Sequence, residues 1–207
     1  MSKKLVIFDM DGTLVNSSLT IINAINFVRS NIGLAPLGDE EILQNINNPN
    51  VKSASFYYEA DHFTPEHEEW FAEYYSKNHE KEIRLYKGIN TLLTTLKQKG
   101  YRLAVATNAY KISTMESLKH LNIHNQFDVV ICADEVSEAK PNPEMLYYIL
   151  DRLKLSKDEA IFVGDGERDM VSAERAGIDY LMVNWGFSDY NDAIHNVERL
   201  QKIILEF

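Results

Sequence analysis

Two aspartates, Asp9 and Asp11, directly follow the apolar run Leu5–Phe8. A short apolar run of this kind predicts a buried parallel strand. Open α/β sheets bind their ligands beyond the carboxyl ends of such strands. We therefore expect both carboxylates to lie where a parallel sheet carries out chemistry, with Gly12 allowing the chain to turn away. Two like charges placed together require a cation or a shared proton to offset them.

Further polar side chains follow the later apolar runs of the chain. They are Thr107, Asn108, Lys140, Asp165 and Asp169. Because the carboxyl ends of parallel strands share one edge of a sheet, we expect these groups to converge on a single crevice. That crevice would hold several carboxylates, one hydroxyl, one amide and one ammonium group.

This combination of groups suits the transfer of a phosphoryl group. Hydrolysis of phosphate monoesters is among the slowest uncatalysed reactions, and its enzymes accelerate it by up to ~10²¹-fold. Asp9, Asp165 and Asp169 offer the hard oxygen ligands that Mg²⁺ prefers. Lys140 adds a compact cation that can hold both the attacking carboxylate and a phosphoryl oxygen. Asp11 then remains to protonate the leaving alkoxide and to take a proton from water.

Alternating strands and helices are predicted to position these groups. The predicted strands that follow the first one are Arg102–Ala106, 127–132, 160–163 and 180–183. The helical patterns between them are 89–96, which stops at Gly100, then 111–121, 143–153 with Pro143 in its first turn, and Glu167–Ala176. Such alternation predicts βαβ units and therefore an α/β fold with a Rossmann-like parallel sheet.

The alternation stops between about residues 15 and 84, where four helical patterns follow one another without a strand. These patterns are 18–30, 40–46, 53–60 and 66–79. We predict a core domain formed by residues 1–14 and 85–207 and a small helical cap domain formed by 15–84, with hinges near Val15 and Gly88. Most of the aromatic residues in the insertion are expected to form its own core.

Composition excludes several classes of partner. The 207 residues include 31 Asp and Glu against 21 Lys and Arg, which gives a formal charge of -10. Such a balance argues against nucleic acid and anionic membranes as partners. Cys132 is the only cysteine, so an intramolecular disulfide is impossible. Without a signal-like or membrane-spanning run, we expect a cytoplasmic protein, either a monomer or a homodimer.

The motifs resemble those of the haloacid dehalogenase superfamily in their order and separations. They are Asp9-Met10-Asp11-Gly12-Thr13, Thr107-Asn108, Lys140-Pro141 and Gly164-Asp165 followed by Asp169. Within the superfamily the chain is similar to the phosphoglycolate-phosphatase-like group, in which a helical cap separates the first two motifs. The Trp185-Gly186-Phe187 segment after the last predicted strand also resembles that group.

The resemblance implies roles for the two aspartates of the first motif and for the second motif. Asp9 would be the nucleophile and a Mg²⁺ ligand. Asp11 would be the general acid and base, with its backbone carbonyl on the metal. Thr107 would hold the phosphoryl group, and Asn108 would bind the substrate beside it.

The remaining motifs complete the implied site. Lys140 would steady Asp9 and the phosphate, and Asp165 would bind Mg²⁺. Asp169 would bind the metal directly or through water, or it would position Lys140. Lys52 lies in the segment 47–52, where relatives place a substrate-specificity loop, and it could meet a second anionic group of the substrate.

The expected activity is Mg²⁺-dependent hydrolysis of a small soluble phosphorylated metabolite through an aspartyl-phosphate intermediate. Phosphoglycolate, sugar phosphates and nucleotides are the candidate substrates, with phosphoglycolate favoured by analogy alone. A phosphomutase of the β-phosphoglucomutase type is one alternative, although Thr13 favours hydrolysis. A catalytically silent phosphate-binding regulatory module is another, although such a module needs neither a nucleophile nor a spare acid. Asp11 and Asp165 disfavour a dehalogenase.

Overall fold

A computed structural model describes residues 3–46, 48, 50–185 and 192–207. The chain divides into two compact units. The core unit consists of Met1–Asn16 and Arg84–Phe207, and the helical unit consists of Ser17–Ile83. Among the described residues, no helix combines the length and the hydrophobicity that crossing a membrane would require.

The core unit is built on a five-stranded parallel sheet, as its alternating pattern predicts. In chain order, the strands of the described chain are β1 Leu5–Phe8, β2 Val15–Asn16, β3 Arg84–Leu85, β4 Arg102–Ala106, β5 Val129–Ile131, β6 Ala160–Gly164 and β7 Asp179–Met182. The large sheet has the order β5-β4-β1-β6-β7, and every pair in it is parallel. All four residues of β1 are buried, so the prediction of a buried parallel strand is confirmed.

Five helices of the described chain belong to the core unit. They are α5 Ile89–Gln98, α6 Lys111–His120, α7 Glu144–Leu153, α8 Glu167–Ala176 and α9 Val197–Glu206. Helices α7 and α8 cover one face of the sheet, where Met145, Ile149 and Ala173 join Ile7 and Phe162 in an apolar cluster. Pro143 precedes α7 as its N-cap residue instead of lying in its first turn, and α9 is a helix that the sequence patterns did not reveal.

The prediction that no strand occurs between residues 15 and 84 is wrong at both ends of that segment. Val15–Asn16 pairs antiparallel with Arg84–Leu85, Val15 opposite Leu85. Each of these strands has only two residues, which is too short for an alternating pattern to show. Their pairing also requires the chain to come back to the core unit after the helical unit Ser17–Ile83.

The helical unit contains α1 Ser18–Asn31, α2 Asp39–Ile46, α3 Ser53–Tyr58 and α4 Pro65–Glu82. Its apolar cluster includes Ile22, Val28, Ile42, Tyr57 and Tyr58. Tyr57, Tyr58 and Tyr75 are buried, as expected of aromatic residues at helical spacing, whereas Phe63 is 44% exposed. The buried Arg29 side chain donates hydrogen bonds to the carbonyls of Ala35 and Tyr57 and thereby fixes the chain around α1.

Candidate active site

The first part of the site is the turn that follows β1. The Asp9 N–H donates to the Val163 carbonyl at 2.9 Å, so the ladder between β1 and β6 continues to this residue. Asp9 is buried, and Asp11 is half-buried in the turn. The N–H groups of Leu14 and Val15 both donate to the Met10 carbonyl, each at 2.9 Å, which closes the turn. The turn therefore holds two aspartates at the carboxyl end of the central strand.

The second part is the segment after β6, which carries Asp165 and Asp169. The Thr13 hydroxyl donates to Asp165 Oδ1 at 3.1 Å and links this segment to the first turn. A Cβ atom at Gly12 would collide with the Asp165 carboxylate, and Gly12 also has a φ of +84°. Asp169 lies in the first turn of α8, where its Oδ2 accepts from the Gly166 N–H at 3.3 Å. A carboxylate is favoured there because the helix N-terminus carries partial positive charge.

Lys140 joins the two parts of the site. Its Nζ lies 2.5 Å from Asp9 Oδ1 and 2.7 Å from Asp169 Oδ1, and it donates to the Ala106 carbonyl at 2.8 Å. The lysine is only 5% exposed. An ammonium group has three N–H donors, so each of these contacts can use one of them.

Thr107 and Asn108 extend β4 into the same region. Thr107 is buried, and its Oγ1 accepts from the Ala109 N–H at 3.1 Å. The Asn108 amide contacts the backbone of Lys140 twice, as donor to its carbonyl at 2.9 Å and as acceptor from its N–H at 3.0 Å. The structure thus brings Asp9, Asn108 and Lys140 together.

Burial and like charge dominate the electrostatics of the site. Burial raises the pKa of Asp9 well above its usual value; the Asp169 and Asp165 carboxylates add to this effect, and Lys140 opposes it. Burial, followed by the Asp169 carboxylate, raises the pKa of Asp165 to about 7. Burial disfavours the charged form of Lys140, but the Asp169 and Asp9 carboxylates outweigh it and raise the pKa of the ammonium. The cluster therefore holds more negative charge than its one ammonium can offset.

The residues present fit a divalent cation. Asp9, Asp165 and Asp169 each offer a carboxylate oxygen, and these oxygens all lie within 4.8 Å of one another. Oxygen donors of this hardness suit Mg²⁺. Burial raises the carboxyl pKa values of Asp9 and Asp165 most, and a cation at this point would relieve the repulsion that adds to this effect.

Several residues near the site were not identified from sequence as site residues. Trp185 Nε1 donates to the Thr13 carbonyl at 2.9 Å, and the rings of Trp185 and Tyr86 are 6.0 Å apart. Burial, then the charges of Asp165 and Asp11, raise the pKa of the Tyr86 phenol. The Trp-Gly-aromatic resemblance pointed toward Trp185, whereas Tyr86 follows a two-residue strand that gave no signal.

Lys52 belongs to the helical unit, and two predicted segments are described only in part. Lys52 is exposed and immediately precedes α3 in the helical unit, whereas the three clustered carboxylates belong to the core unit. The predicted specificity loop includes Asn47 and Pro49, and the Trp-Gly-aromatic segment includes Gly186 and Phe187. These four residues lie outside the described residues.

Comparison with known proteins gives consistent matches over most of the chain. A family profile described as haloacid dehalogenase-like hydrolase matches residues 6–183. The chain is 30% identical to a pyrophosphatase PpaX of Halalkalibacterium halodurans, over 87% of this chain and 83% of that protein. It is 31% identical to a phosphoglycolate phosphatase of Yersinia pestis, over 91% of this chain and 84% of that protein. A crystal structure described as a predicted phosphoglycolate phosphatase from Haemophilus somnus superposes with a TM-score of 0.80 at 29% identity, covering 94% and 90% of the two chains.

Proposed function

The chain belongs to the haloacid dehalogenase-like hydrolase family, and on that premise we propose that it hydrolyses a small phosphomonoester with Mg²⁺ through an aspartyl-phosphate on Asp9. The two relatives compared above, at 30% and 31% identity, are named as a pyrophosphatase and a phosphoglycolate phosphatase, and the chain is a phosphatase of this family. The metal, the intermediate and the substrate class are the parts that we propose.

One observation carries the proposal, namely the contact between Lys140 Nζ and Asp9 Oδ1 at 2.5 Å beside two further carboxylates. The ammonium opposes the rise in the Asp9 pKa that burial causes, and it holds the carboxylate in one orientation, as a nucleophile requires. A silent phosphate-binding module would not need a buried carboxylate in this place. Thr13 follows the Asp-Gly pair, where mutase relatives have Val or Ile, so hydrolysis remains preferred to phosphoryl shuttling.

The proposed reaction has two steps. In the first, an Asp9 carboxylate oxygen attacks phosphorus, the bond from phosphorus to the leaving oxygen breaks, and Asp11 gives its proton to the departing alkoxide. In the second, Asp11 takes a proton from water, the water oxygen attacks phosphorus, and the bond to Asp9 breaks to release phosphate. Thr107 binds the phosphoryl group, and Lys140 neutralises charge that develops on it.

Asp9, Asp165 and Asp169, with the backbone carbonyl of Asp11, are the groups that would hold Mg²⁺. The cation supplies charge neutralisation between the nucleophilic carboxylate and the phosphate dianion. Three oxygens within 4.8 Å of one another support this assignment.

The helical unit Ser17–Ile83 is proposed to be the cap that selects the substrate, with Lys52 as a candidate contact for a second anionic group. The proposed substrate is a small phosphorylated metabolite, and the names of the relatives favour phosphoglycolate. Pyrophosphate is a second candidate; it is a phosphoanhydride, so its leaving group would be phosphate instead of an alkoxide. Cytoplasmic location and a monomeric or homodimeric state stay predictions.

Phosphate release from a substrate panel tests the proposal. The panel contains phosphoglycolate, pyrophosphate, sugar phosphates and nucleotides, each assayed with Mg²⁺ and with chelator, for wild type and Asp9→Asn. We expect turnover that needs Mg²⁺ and is lost in Asp9→Asn. Turnover that persists in chelator, or in Asp9→Asn, would refute the proposed mechanism, and transfer of phosphate between positions of a sugar would indicate the mutase.

A further inference from the structure

Asn108 contacts Lys140 through both polar groups of its side-chain amide. Nδ2 donates to the Lys140 carbonyl at 2.9 Å, and Oδ1 accepts from the Lys140 N–H at 3.0 Å. The two residues are 32 positions apart in sequence, so this pair ties the end of β4 to the loop before α7. The family resemblance predicts that this amide binds the substrate, and in this structure both of its polar groups contact the Lys140 backbone.

The other end of Lys140 is also held. Nζ contacts Asp9 at 2.5 Å, Asp169 at 2.7 Å and the Ala106 carbonyl at 2.8 Å. Ala106 and Asn108 belong to the same short stretch at the end of β4, so this stretch contacts Lys140 at three of its polar atoms. A lysine stem is flexible and loses rotamer entropy when its ammonium is held in one place. The position of the Lys140 ammonium therefore depends on where the backbone of Lys140 is held.

From these contacts we infer that Asn108 is a positioning residue, which fixes the backbone of Lys140 so that the ammonium meets Asp9. The inference rests on the proposed function, in which Lys140 acts on the nucleophile and the phosphoryl group. Removing the amide frees the Lys140 N–H and carbonyl together and lets the loop shift. A shift of about 1 Å at a reacting group can lower a rate by roughly 100-fold.

A positioning role and a substrate-binding role predict different kinetics. Loss of a positioning residue lowers kcat, whereas loss of uniform substrate binding raises KM and leaves kcat unchanged. With p-nitrophenyl phosphate as substrate, we expect Asn108→Ala to lower kcat by roughly tenfold to 100-fold and to change KM by less than about twofold. Asn108→Asp keeps the acceptor but places a carboxylate oxygen against the Lys140 carbonyl, so we expect a decrease in kcat of the same kind.

Asn142→Ala is the matched control. Asn142 lies in the same loop as Lys140, but its side-chain amide donates to Glu138 and accepts from the Glu144 N–H. We expect Asn142→Ala to disturb the loop without releasing Lys140. Circular dichroism establishes whether each variant is folded. If Asn108→Ala does not fold, Asn108→Asp replaces it as the test variant.

Labelling of Lys140 supplies a second measurement that does not depend on turnover. Each variant is treated with acetic anhydride, and the acetylated fraction of Lys140 is measured by peptide mass spectrometry. We expect slow labelling in wild type and Asn142→Ala, and faster labelling in Asn108→Ala and Asn108→Asp. Unchanged labelling in both Asn108 variants, or a raised KM with an unchanged kcat, would overturn the inference. If wild type hydrolyses no phosphomonoester but labelling follows the expected pattern, the proposed function fails and the positioning of Lys140 by Asn108 stands.

Discussion

The Thr13 hydroxyl donates a hydrogen bond to Asp165 Oδ1 at 3.1 Å and thereby joins the turn after β1 to the segment after β6. Thr13 is buried, so water does not readily replace this donor. Asp165 is one of the three carboxylates that would hold Mg²⁺. Thr13 therefore orients Asp165, a proposed metal ligand, through a hydrogen bond to one of its carboxylate oxygens.

Replacement of this hydroxyl should weaken metal binding. Loss of a group that orients a metal ligand usually lowers metal affinity by roughly tenfold to 100-fold. We expect Thr13→Val to lower Mg²⁺ affinity within that range, as measured by isothermal titration calorimetry, and Thr13→Ser to stay close to wild type. Equal affinities for Thr13→Val and wild type would show that the hydrogen bond does not orient Asp165 for the metal.

Gly12 is a position where added volume and backbone conformation both oppose substitution. Its φ is +84°, and a Cβ atom there would meet the Asp165 carboxylate. Gly100 is a matched control in the same unit, because its φ is +87° and nothing lies within 4 Å of its Cβ position. Both alanine variants should lose about 1–3 kcal/mol of stability from the positive φ.

We expect only Gly12→Ala to weaken Mg²⁺ binding as well, because only its methyl group displaces Asp165. Denaturant unfolding and calorimetric titration of both variants measure the two effects separately. The account of the turn is wrong if Gly12→Ala binds Mg²⁺ as tightly as Gly100→Ala does.

The raised pKa of Asp165 predicts how the metal-free protein responds to pH. Burial, followed by the Asp169 carboxylate, raises this pKa to about 7, whereas an aspartate in an unfolded chain titrates near about 3.9. Between these values the folded state binds more protons than the unfolded state, so stability falls as pH rises. With chelator present, we expect the free energy of unfolding to decrease between about pH 4 and about pH 7.

Asp165→Asn tests the origin of that decrease. The variant lacks the titrating carboxyl, so its stability should depend less steeply on pH over the same range, although Asp9 still contributes. Urea unfolding at several pH values, with chelator throughout, measures both slopes. Identical slopes for the two proteins would assign the decrease to other groups.

The sheet of the core unit was predictable because each strand is an apolar run with polar groups at its end. Arg102–Ala106 matches its predicted bounds, and the strand predicted at 160–163 extends by one residue to Gly164. The run at 127–132 contributes only Val129–Ile131 to the sheet. Local hydrophobicity indicates which residues are buried, so these strands could be predicted from the amino-acid sequence alone.

The contacts within the site depend on geometry that residue types do not encode. Lys140 could be assigned to the crevice, but its simultaneous contacts with Asp9 and Asp169 depend on the path of the loop before α7. The hydrogen bonds of Asn108 to Lys140 depend on the same path. β2 and β3 were not predicted because two residues are too few to show an alternating pattern. Each strand forms only by pairing with a partner that is distant in the sequence.

Detection of a phosphoryl group on Asp9 would establish that this aspartate is the nucleophile. p-Nitrophenolate leaves without help from an acid, so Asp11→Asn should still complete the first step and then fail to activate water. We expect a burst of p-nitrophenolate stoichiometric with the Asp11→Asn enzyme, and acid-quenched peptide mass spectrometry should place one phosphoryl group on the Asp9 carboxylate. The same experiment with Asp9→Asn should give neither signal. A phosphorylated residue other than Asp9, or turnover with no covalent phosphoryl-enzyme in Asp11→Asn, would contradict the account.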